Sequence, residues 1–328
     1  MLLDLWETIL RALITRLKED GTREKVLVDD WPKPSDPTGN QVRVRTLFSG
    51  VTNGTERNDL IAGNYSTPDN QLPSPLGYQN VGEITHVGPD VMRLNIGDII
   101  YSGVWLISDH LEYVVLSEDE LLVRLPESVN PRHAALLGIA SVAVHNCRAT
   151  EISTGDSVLI VGQGCVGQVT AQIAHSKGCK VDVCDINLQR LQMAKDIDCA
   201  DNIFNTSGTG WSHHIRDGAY DTVLDLAGVP GMENDLLTAA RRNGQVAFIA
   251  GRNQVCYDFN LGQAKEIAIK QLSHFDTADL TNACTLIESY TIRIGPLLKD
   301  VVPVQDAERI YRTLRDTPDS LMGVVFEW

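Results

Sequence analysis

Seven consecutive residues, Val161-Gly162-Gln163-Gly164-Cys165-Val166-Gly167, carry the clearest chemistry in this chain. The residues before them, Asp156-Ser157-Val158-Leu159-Ile160-Val161, are short, apolar and β-branched, the pattern of a buried strand. After them, Val166, Val169, Ile173 and Ala174 fall on one face of a 3.6-residue period, the pattern of a helix. Glycines in the order G-x-G-x-x-G between a strand and a helix build a cradle for an anion. Gly162 permits the tight turn, Gly164 lets the backbone approach a pyrophosphate, and Gly167 lets helix and strand pack closely. Cys165 and Val166 stand at the helix N-terminus, which faces the anion.

An acidic residue follows at the distance such a cradle needs. Lys180-Val181-Asp182-Val183-Cys184-Asp185 reads as the next strand and ends in a carboxylate 18 residues beyond Gly167. A carboxylate there accepts hydrogen bonds from adenosine ribose hydroxyls and repels a 2′-phosphate. Ile186-Asn187-Leu188-Gln189 supplies no early Arg to hold that phosphate, so NAD is favoured over NADP. The competing reading is that Asp185 only caps the next helix, a task Asn187 would also perform. Asp225 ends a further strand, where it either lines a nicotinamide site or caps a turn with Gly228. Gly251 closes the run Gln245-Val246-Ala247-Phe248-Ile249-Ala250-Gly251 in the same part of the pattern.

The elements that must position these residues divide the chain in three. Residues 1–125 contain short β-like runs punctuated by Gly, Pro and Asn, as in Val42-Arg43-Val44-Arg45-Thr46-Leu47 and Leu111-Glu112-Tyr113-Val114-Val115-Leu116. That spacing suggests an antiparallel, barrel-like domain. Residues 1–18 suit an amphipathic helix by their apolar positions, but Arg11-Ala12-Leu13-Ile14-Thr15 also reads as the start of a strand, the reading favoured for the latter part. Residues 126–260 alternate strand and helix, which argues for a doubly wound parallel sheet of α/β class. A helical run is expected to end at Arg242-Asn243-Gly244. Residues 261–328 hold two helical segments and a final strand, Gly323-Val324-Val325-Phe326-Glu327-Trp328.

Bulk properties narrow the function further. The chain has 328 residues, enough for two domains with proper cores. Its formal net charge of −15 disfavours nucleic acid and anionic membrane as partners, leaving a small-molecule substrate. Seven cysteines are scattered without a C-x-x-C pair, and none lies in the first 146 residues. This fits a reduced, cytoplasmic setting better than a disulfide framework. No secretory pattern is evident at the start, and no run approaches the length of a membrane span.

The combination resembles the medium-chain dehydrogenase/reductase superfamily along nearly the whole chain. The resemblance rests on Gly77-Tyr78-Gln79-Asn80-Val81-Gly82-Glu83-Ile84, on Val87-Gly88-Pro89, and on Leu94-Asn95-Ile96-Gly97-Asp98-Ile99-Ile100. Glu112-Tyr113-Val114-Val115, the glycine fingerprint and the terminal Gly323-Val324-Val325 complete it. It implies a GroES-like catalytic domain from the N- and C-terminal parts, a Rossmann domain between them, and a homodimer. Zinc-dependent relatives place a metal on a Cys, a His and a third ligand. Here those positions read as Asn53, Tyr78 and Ile139, all poor zinc ligands, and no four-Cys lobe exists between Asp98 and Glu112. No metal is therefore expected. Ser49-Gly50-Val51-Thr52-Asn53-Gly54-Thr55-Glu56-Arg57 is similar to a zinc-less branch that includes the hydroxyethyl bacteriochlorophyllide dehydrogenases.

The resemblance implies an oxidoreductase interconverting a secondary alcohol and a ketone with NAD. Without a metal, side chains must orient the oxygen and pass the proton. Thr55 aligns with a proton-relaying hydroxyl residue of the zinc enzymes; its other reading is a turn residue. Tyr78 replaces the metal-binding His and either holds a substrate oxygen or packs beneath the nicotinamide. Asn53 either donates to a carbonyl oxygen or forms the turn. His145 has the protonation range of a general acid or base, but a lone helical His is more often structural. Glu56 either orients neighbours, pairs with Arg57 or is a solvated charge. His110, His213 and His214 lack motif support and are expected at the surface or in loops. Two alternatives stand beside this reading: an NADPH-dependent enoyl or quinone reductase, and a catalytically silent nucleotide-binding relative.

Overall fold

A computed structural model describes residues 9–328. The chain forms two units, residues 1–138 with 298–328, and residues 139–297. The helical part of the expectation for residues 1–18 falls partly on residues 1–8, outside the described residues. From Ile9 to Leu17 the chain is a strand, as read for its latter part.

The second unit is built on a six-stranded, wholly parallel sheet. Its strands, in spatial order, are Asn202–Asn205, Lys180–Asp185, Ser157–Val161, Tyr220–Asp225, Ala240–Phe248 and Ala268–Gln271. Numbered along the chain this order is 3-2-1-4-5-6, the doubly wound Rossmann arrangement. Val158, Leu159, Ile160, Val181, Val183, Val223, Leu224, Val246 and Ala247 are buried, so both faces of the sheet are covered. This explains the near-continuous apolar runs. The order reverses between Ser157–Val161 and Tyr220–Asp225, which opens a crevice at their carboxyl ends.

The first unit is β-rich. Six strands follow in the order Leu298–Pro303, Gly323–Glu327, Gln41–Gly50, Asn80–Val87, Ile99–Ser102 and Leu122–Arg124, and Tyr113–Ser117 also pairs with Gln41–Gly50. A second sheet joins Arg23–Pro32, Ile9–Leu17 and Ser74–Pro75. The end of the chain therefore returns to this unit, with Val325 opposite Gly50. Leu13, Val51, Ile310, Tyr311, Val324 and Phe326 share one buried cluster beneath the return.

The boundaries differ from those read in the sequence. Residues 126–138 belong to the first unit rather than to the dinucleotide fold. Within Pro131–Ala134, Arg132 bonds Glu327 and lies over the Phe48 ring. Residues 261–297 stay with the second unit, because Ala268–Gln271 adds the sixth strand and Thr277–Glu288 is tied by charge to Leu137–Ala149. The helix expected to reach Gly244 spans only Glu233–Ala239. The strand begins at Ala240, and Asn243 takes a positive φ of 57° within it. Among the described residues no helix is long and apolar enough to cross a membrane.

Candidate active site

The glycine loop follows the strand Ser157–Val161 directly. Gly162 has φ +95°, and a Cβ there would lie 3.0 Å from the Ala227 nitrogen. Only glycine fits both the left-handed backbone and the neighbouring chain. A Cβ on Gly167 would lie 2.0 Å from the Gly162 carbonyl oxygen, so this glycine sets how closely the helix Cys165–Ser176 approaches the turn. Gly164 caps that helix in extended geometry with open space over its Cβ position. Cys165 and Val166 form the first turn, whose N–H groups lack intrahelical partners. Burial pushes the Cys165 thiol up to about 12, which makes it a packing group rather than a nucleophile.

Asp185 ends its strand nearly buried beside this loop. Its Oδ2 accepts from the Gln163 backbone N–H at 2.7 Å and its Oδ1 from the Asn187 N–H at 2.8 Å. Asn187, not Asp185, caps the next helix, accepting from the N–H groups of Gln189 and Arg190. The Asp185 carboxylate thus ties the glycine turn to the second strand. Each of its oxygens retains lone-pair capacity for a ribose hydroxyl. Arg190 reaches back to 4.0 Å from Asp185 Oδ2. The four residues after Asp185 hold no Arg, but a helical turn further on supplies one, just past the window in which the sequence places such a residue.

Asp225 resolves toward the turn. Its Oδ1 accepts from the N–H groups of Ala227 and Gly228, and its Oδ2 accepts from Arg252 Nη2 at 2.5 Å. With 2% exposure its carboxylate is taken up in shaping the loop. Gly251 is exposed just past the strand Ala240–Phe248.

In the first unit, a set of hydroxyl groups gathers where the segment 49–57 meets Gly77-Tyr78-Gln79. Thr55 lies in the helix Asn53–Leu60, and its Oγ1 is 3.4 Å from the Tyr78 phenol oxygen. The Thr52 hydroxyl accepts from Gln79 Nε2 at 3.0 Å. Burial raises the Tyr78 pKa, and hydrogen bonds from the Thr52 and Thr55 hydroxyls oppose the rise. The phenol is therefore neutral near pH 7 and acts as a hydrogen-bond donor rather than a base. The Trp105 ring lies 5.4 Å from that of Tyr78, centroid to centroid.

Residues 165–289 match the family model for zinc-binding dehydrogenases. Over 329 aligned residues the chain is 26% identical to D-xylulose reductase A of Aspergillus oryzae, covering 89% of this chain and 91% of that one. It is 23% identical to sorbitol dehydrogenase 2 of Saccharomyces cerevisiae, covering 87% and 90%. An Escherichia coli alcohol dehydrogenase solved with NADH superposes with a TM-score of 0.85 at 16% identity, over 98% of this chain and all of the other. The chain is an oxidoreductase, similar to these dehydrogenases and reductases along most of its length.

The side chains compared above with zinc ligands, Asn53, Tyr78 and Ile139, are not zinc donors. Asn53 Nδ2 donates to the Met322 carbonyl at 2.8 Å and latches the segment to the returning chain. The side chain that shares Tyr78's surroundings is Thr52, one residue earlier. Its signal in the sequence is the preference of the turn itself, since a helix starting at Asn53 makes Thr52 its first flanking residue. Hydroxyls and a buried Ile139 offer neither thiolate nor imidazole. Among the described residues no group of three His, Cys, Asp or Glu side chains is arranged for a metal.

His110 lies in a loop, one of the two placements expected for it, and is fully buried there. Its Nδ1 lies 2.8 Å from Ser49 Oγ and its Nε2 3.2 Å from Glu56 Oε2. Glu56 is likewise buried, and it bonds Thr52, Tyr311 and His110 instead of facing water. His145 sits in the second unit with Nδ1 3.0 Å from Asp279 Oδ2, and Arg148 bonds the same carboxylate. The structure thus brings Thr55 and Tyr78 together, and separately gathers the glycine loop with Asp185. It engages His145 in a clasp between the helices Leu137–Ala149 and Thr277–Glu288.

Proposed function

We propose that this enzyme interconverts a secondary alcohol and a ketone on a small organic metabolite, using NAD(H) and no catalytic zinc. The observation that carries the reading is the hydroxyl set of Thr52, Thr55 and Tyr78, in which Tyr78 takes the place that the resemblance gives to a metal-binding His. Its similarity to the zinc-less branch at residues 49–57 supports the same conclusion. The names of the curated relatives, a xylulose reductase and a sorbitol dehydrogenase, support alcohol–ketone chemistry. The NADH bound in the E. coli neighbour supports a nicotinamide cofactor. A homodimer is part of the same reading.

Gly162, Gly164, Gly167 and the first turn at Cys165 and Val166 would hold the pyrophosphate, and Asp185 the adenosine ribose. Bound NAD(H) supplies hydride acceptance or donation at the carbinol carbon. The chain's own part is to manage the oxygen. The neutral Tyr78 phenol donates to a substrate carbonyl oxygen, and it stabilises the negative charge that develops there. Thr55, within reach of the phenol, hydrogen-bonds the same oxygen and orients its O–H bond, and the proton gained or lost by that oxygen is exchanged with solvent water. Such positioned donors stand in for the charge stabilisation that a Lewis acid gives elsewhere.

The test is direct. Purified enzyme is assayed with NADH and a panel of ketones, 2-alkenals and quinones, and its metal content is measured. The reading expects ketone-dependent NADH oxidation, no stoichiometric zinc, and weaker NADH binding in Asp185→Ala. Turnover of alkenals or quinones with no ketone reduction would replace it with the double-bond reductase reading. One zinc per chain would remove its metal-free clause.

A further inference from the structure

Glu56 is a carboxylate with no exposure to water, one residue from Thr55 and four from Thr52. Its Oε1 accepts from the Thr52 backbone N–H at 2.7 Å. Its Oε2 accepts from the Tyr311 hydroxyl at 2.5 Å and lies 3.2 Å from His110 Nε2. Beyond these partners the chain of contacts continues. His110 Nδ1 meets Ser49 Oγ at 2.8 Å, and Trp328 Nε1–H donates to the same oxygen at 2.8 Å. The Lys25 ammonium lies 5.1 Å from the centre of the Tyr311 ring and 4.0 Å from Asp59 Oδ2. Tyr311 belongs to the helix Ala307–Asp316, and Trp328 follows the returning strand Gly323–Glu327.

Burying a carboxylate is costly, and a hydrophobic residue of similar volume often serves stability equally well. What a hydrophobic residue cannot do is hold a backbone N–H at a fixed point. We propose that Glu56 is a positioning residue. It clamps Thr52 and the first turn of its helix to Tyr311 and His110, and so fixes the Thr52–Thr55 hydroxyls against Tyr78. The inference rests on the alcohol–ketone reading for its catalytic consequence, but not for its structural one.

Other charges support a fixed rather than titrating carboxylate. Despite burial, which opposes ionisation most strongly, His110, Lys25 and the Tyr311 hydrogen bond hold Glu56 down at about 2. The titratable groups that face this cluster are Lys25, Asp59, Asp109, His110 and Tyr311; the Lys25 charge and the hydrogen bonds from His110 and Tyr311 favour the ionised form of Glu56. Glu56 therefore stays ionised throughout the range in which a dehydrogenase works, and its influence on the site is geometric.

The experiment compares wild type, Glu56→Gln and Tyr311→Phe in the full chain. Hydrogen exchange over residues 50–57, NADH binding, and kcat and KM from pH 5 to 9 are measured for each. The inference expects exchange at the Thr52 amide to rise at least tenfold in Glu56→Gln. It also expects kcat to fall at least tenfold at every pH with the shape of the profile retained, and NADH binding to stay within twofold. Tyr311→Phe is the milder variant that keeps the carboxylate, and should lower kcat two- to fivefold. Unchanged exchange in Glu56→Gln, or wild-type kcat in a folded Glu56→Gln, overturns the inference. If wild type reduces no ketone while the exchange still rises, the functional reading fails and the clamp stands. If Glu56→Gln does not fold, wild-type exchange and kcat in Tyr311→Phe overturn the inference.

Discussion

The glycine loop of the second unit and the hydroxyl cluster of the first are built by different means. The loop is a backbone site: its geometry follows from residues 161–167, and what matters is the side chains that are missing. The cluster is a side-chain site: Thr52, Thr55, Tyr78 and Gln79 come from two segments, anchored from below by residues as distant as Tyr311 and Trp328. A backbone site fails by steric intrusion, all at once. A side-chain site fails by degrees, through the loss of single hydrogen bonds.

The largest effect is expected at Gly167. Gly167→Ala forces a methyl group onto the Gly162 carbonyl, so NADH affinity falls at least a hundredfold or the unit loses its cooperative melt. Titration of NADH fluorescence and thermal unfolding would show either. Gly164→Ala is the control, because its methyl group meets open protein space. It leaves the melting temperature unchanged and weakens dinucleotide binding by roughly tenfold, through crowding of the anion. If the two variants behaved alike, the loop would not be the backbone site described.

Next comes Tyr78→Phe, which removes one hydroxyl from the cluster. Loss of a positioned hydrogen-bond donor to the developing oxyanion costs on the order of 100-fold in kcat, with NADH binding unchanged in a fluorescence titration. A fall in NADH affinity without a fall in kcat would place Tyr78 under the cofactor instead of on the substrate oxygen.

A smaller effect concerns stability in the first unit. Asp109 is buried with Oδ1 unpartnered, and burial pushes its carboxyl up to about 7. The folded state keeps a proton that the unfolded chain releases near pH 4, so stability falls as pH rises from about 4 to about 7 and is level above. Asp109→Asn removes that slope and gains on the order of 1–3 kcal/mol at pH 8, with little gain at pH 4. Denaturant melts at the two pH values check the sign. The smallest effect is at His145, where His145→Ala leaves kcat within about twofold and costs under roughly 1 kcal/mol, because its contact with Asp279 is partly exposed and Arg148 still holds that carboxylate. A hundredfold loss of kcat there would return His145 to the reaction.

The strand–turn–helix at residues 157–176 and the alternation behind it are legible in the amino-acid sequence, because local periodicity and glycine spacing encode them. The side-chain partners are not. Asp225 reads equally as a nicotinamide neighbour or as a turn cap with Gly228, and only the fold shows its oxygens held by Ala227, Gly228 and Arg252. Arg190 lies too far along the chain to join Asp185 by linear spacing, although one helical turn brings it back. His110, unremarkable in sequence, is a buried partner of Glu56, because a loop residue's burial depends on what packs over it.

The sequence by itself determined the nucleotide loop, since a tight turn, an open approach and a close helix contact are each local demands on a single glycine. It also determined that segments 49–57 and 77–79 carry no Cys or His, because those are identities rather than geometries. Only the tertiary structure decided that Thr52, not Asn53, joins Tyr78, and that a buried carboxylate holds it there. Which side of a turn a hydroxyl faces is set by the Met322 carbonyl and the Tyr311 hydroxyl, more than 250 residues away in the chain. Such contacts come from the return of the last strand to the first unit, and no periodicity within residues 49–57 encodes them.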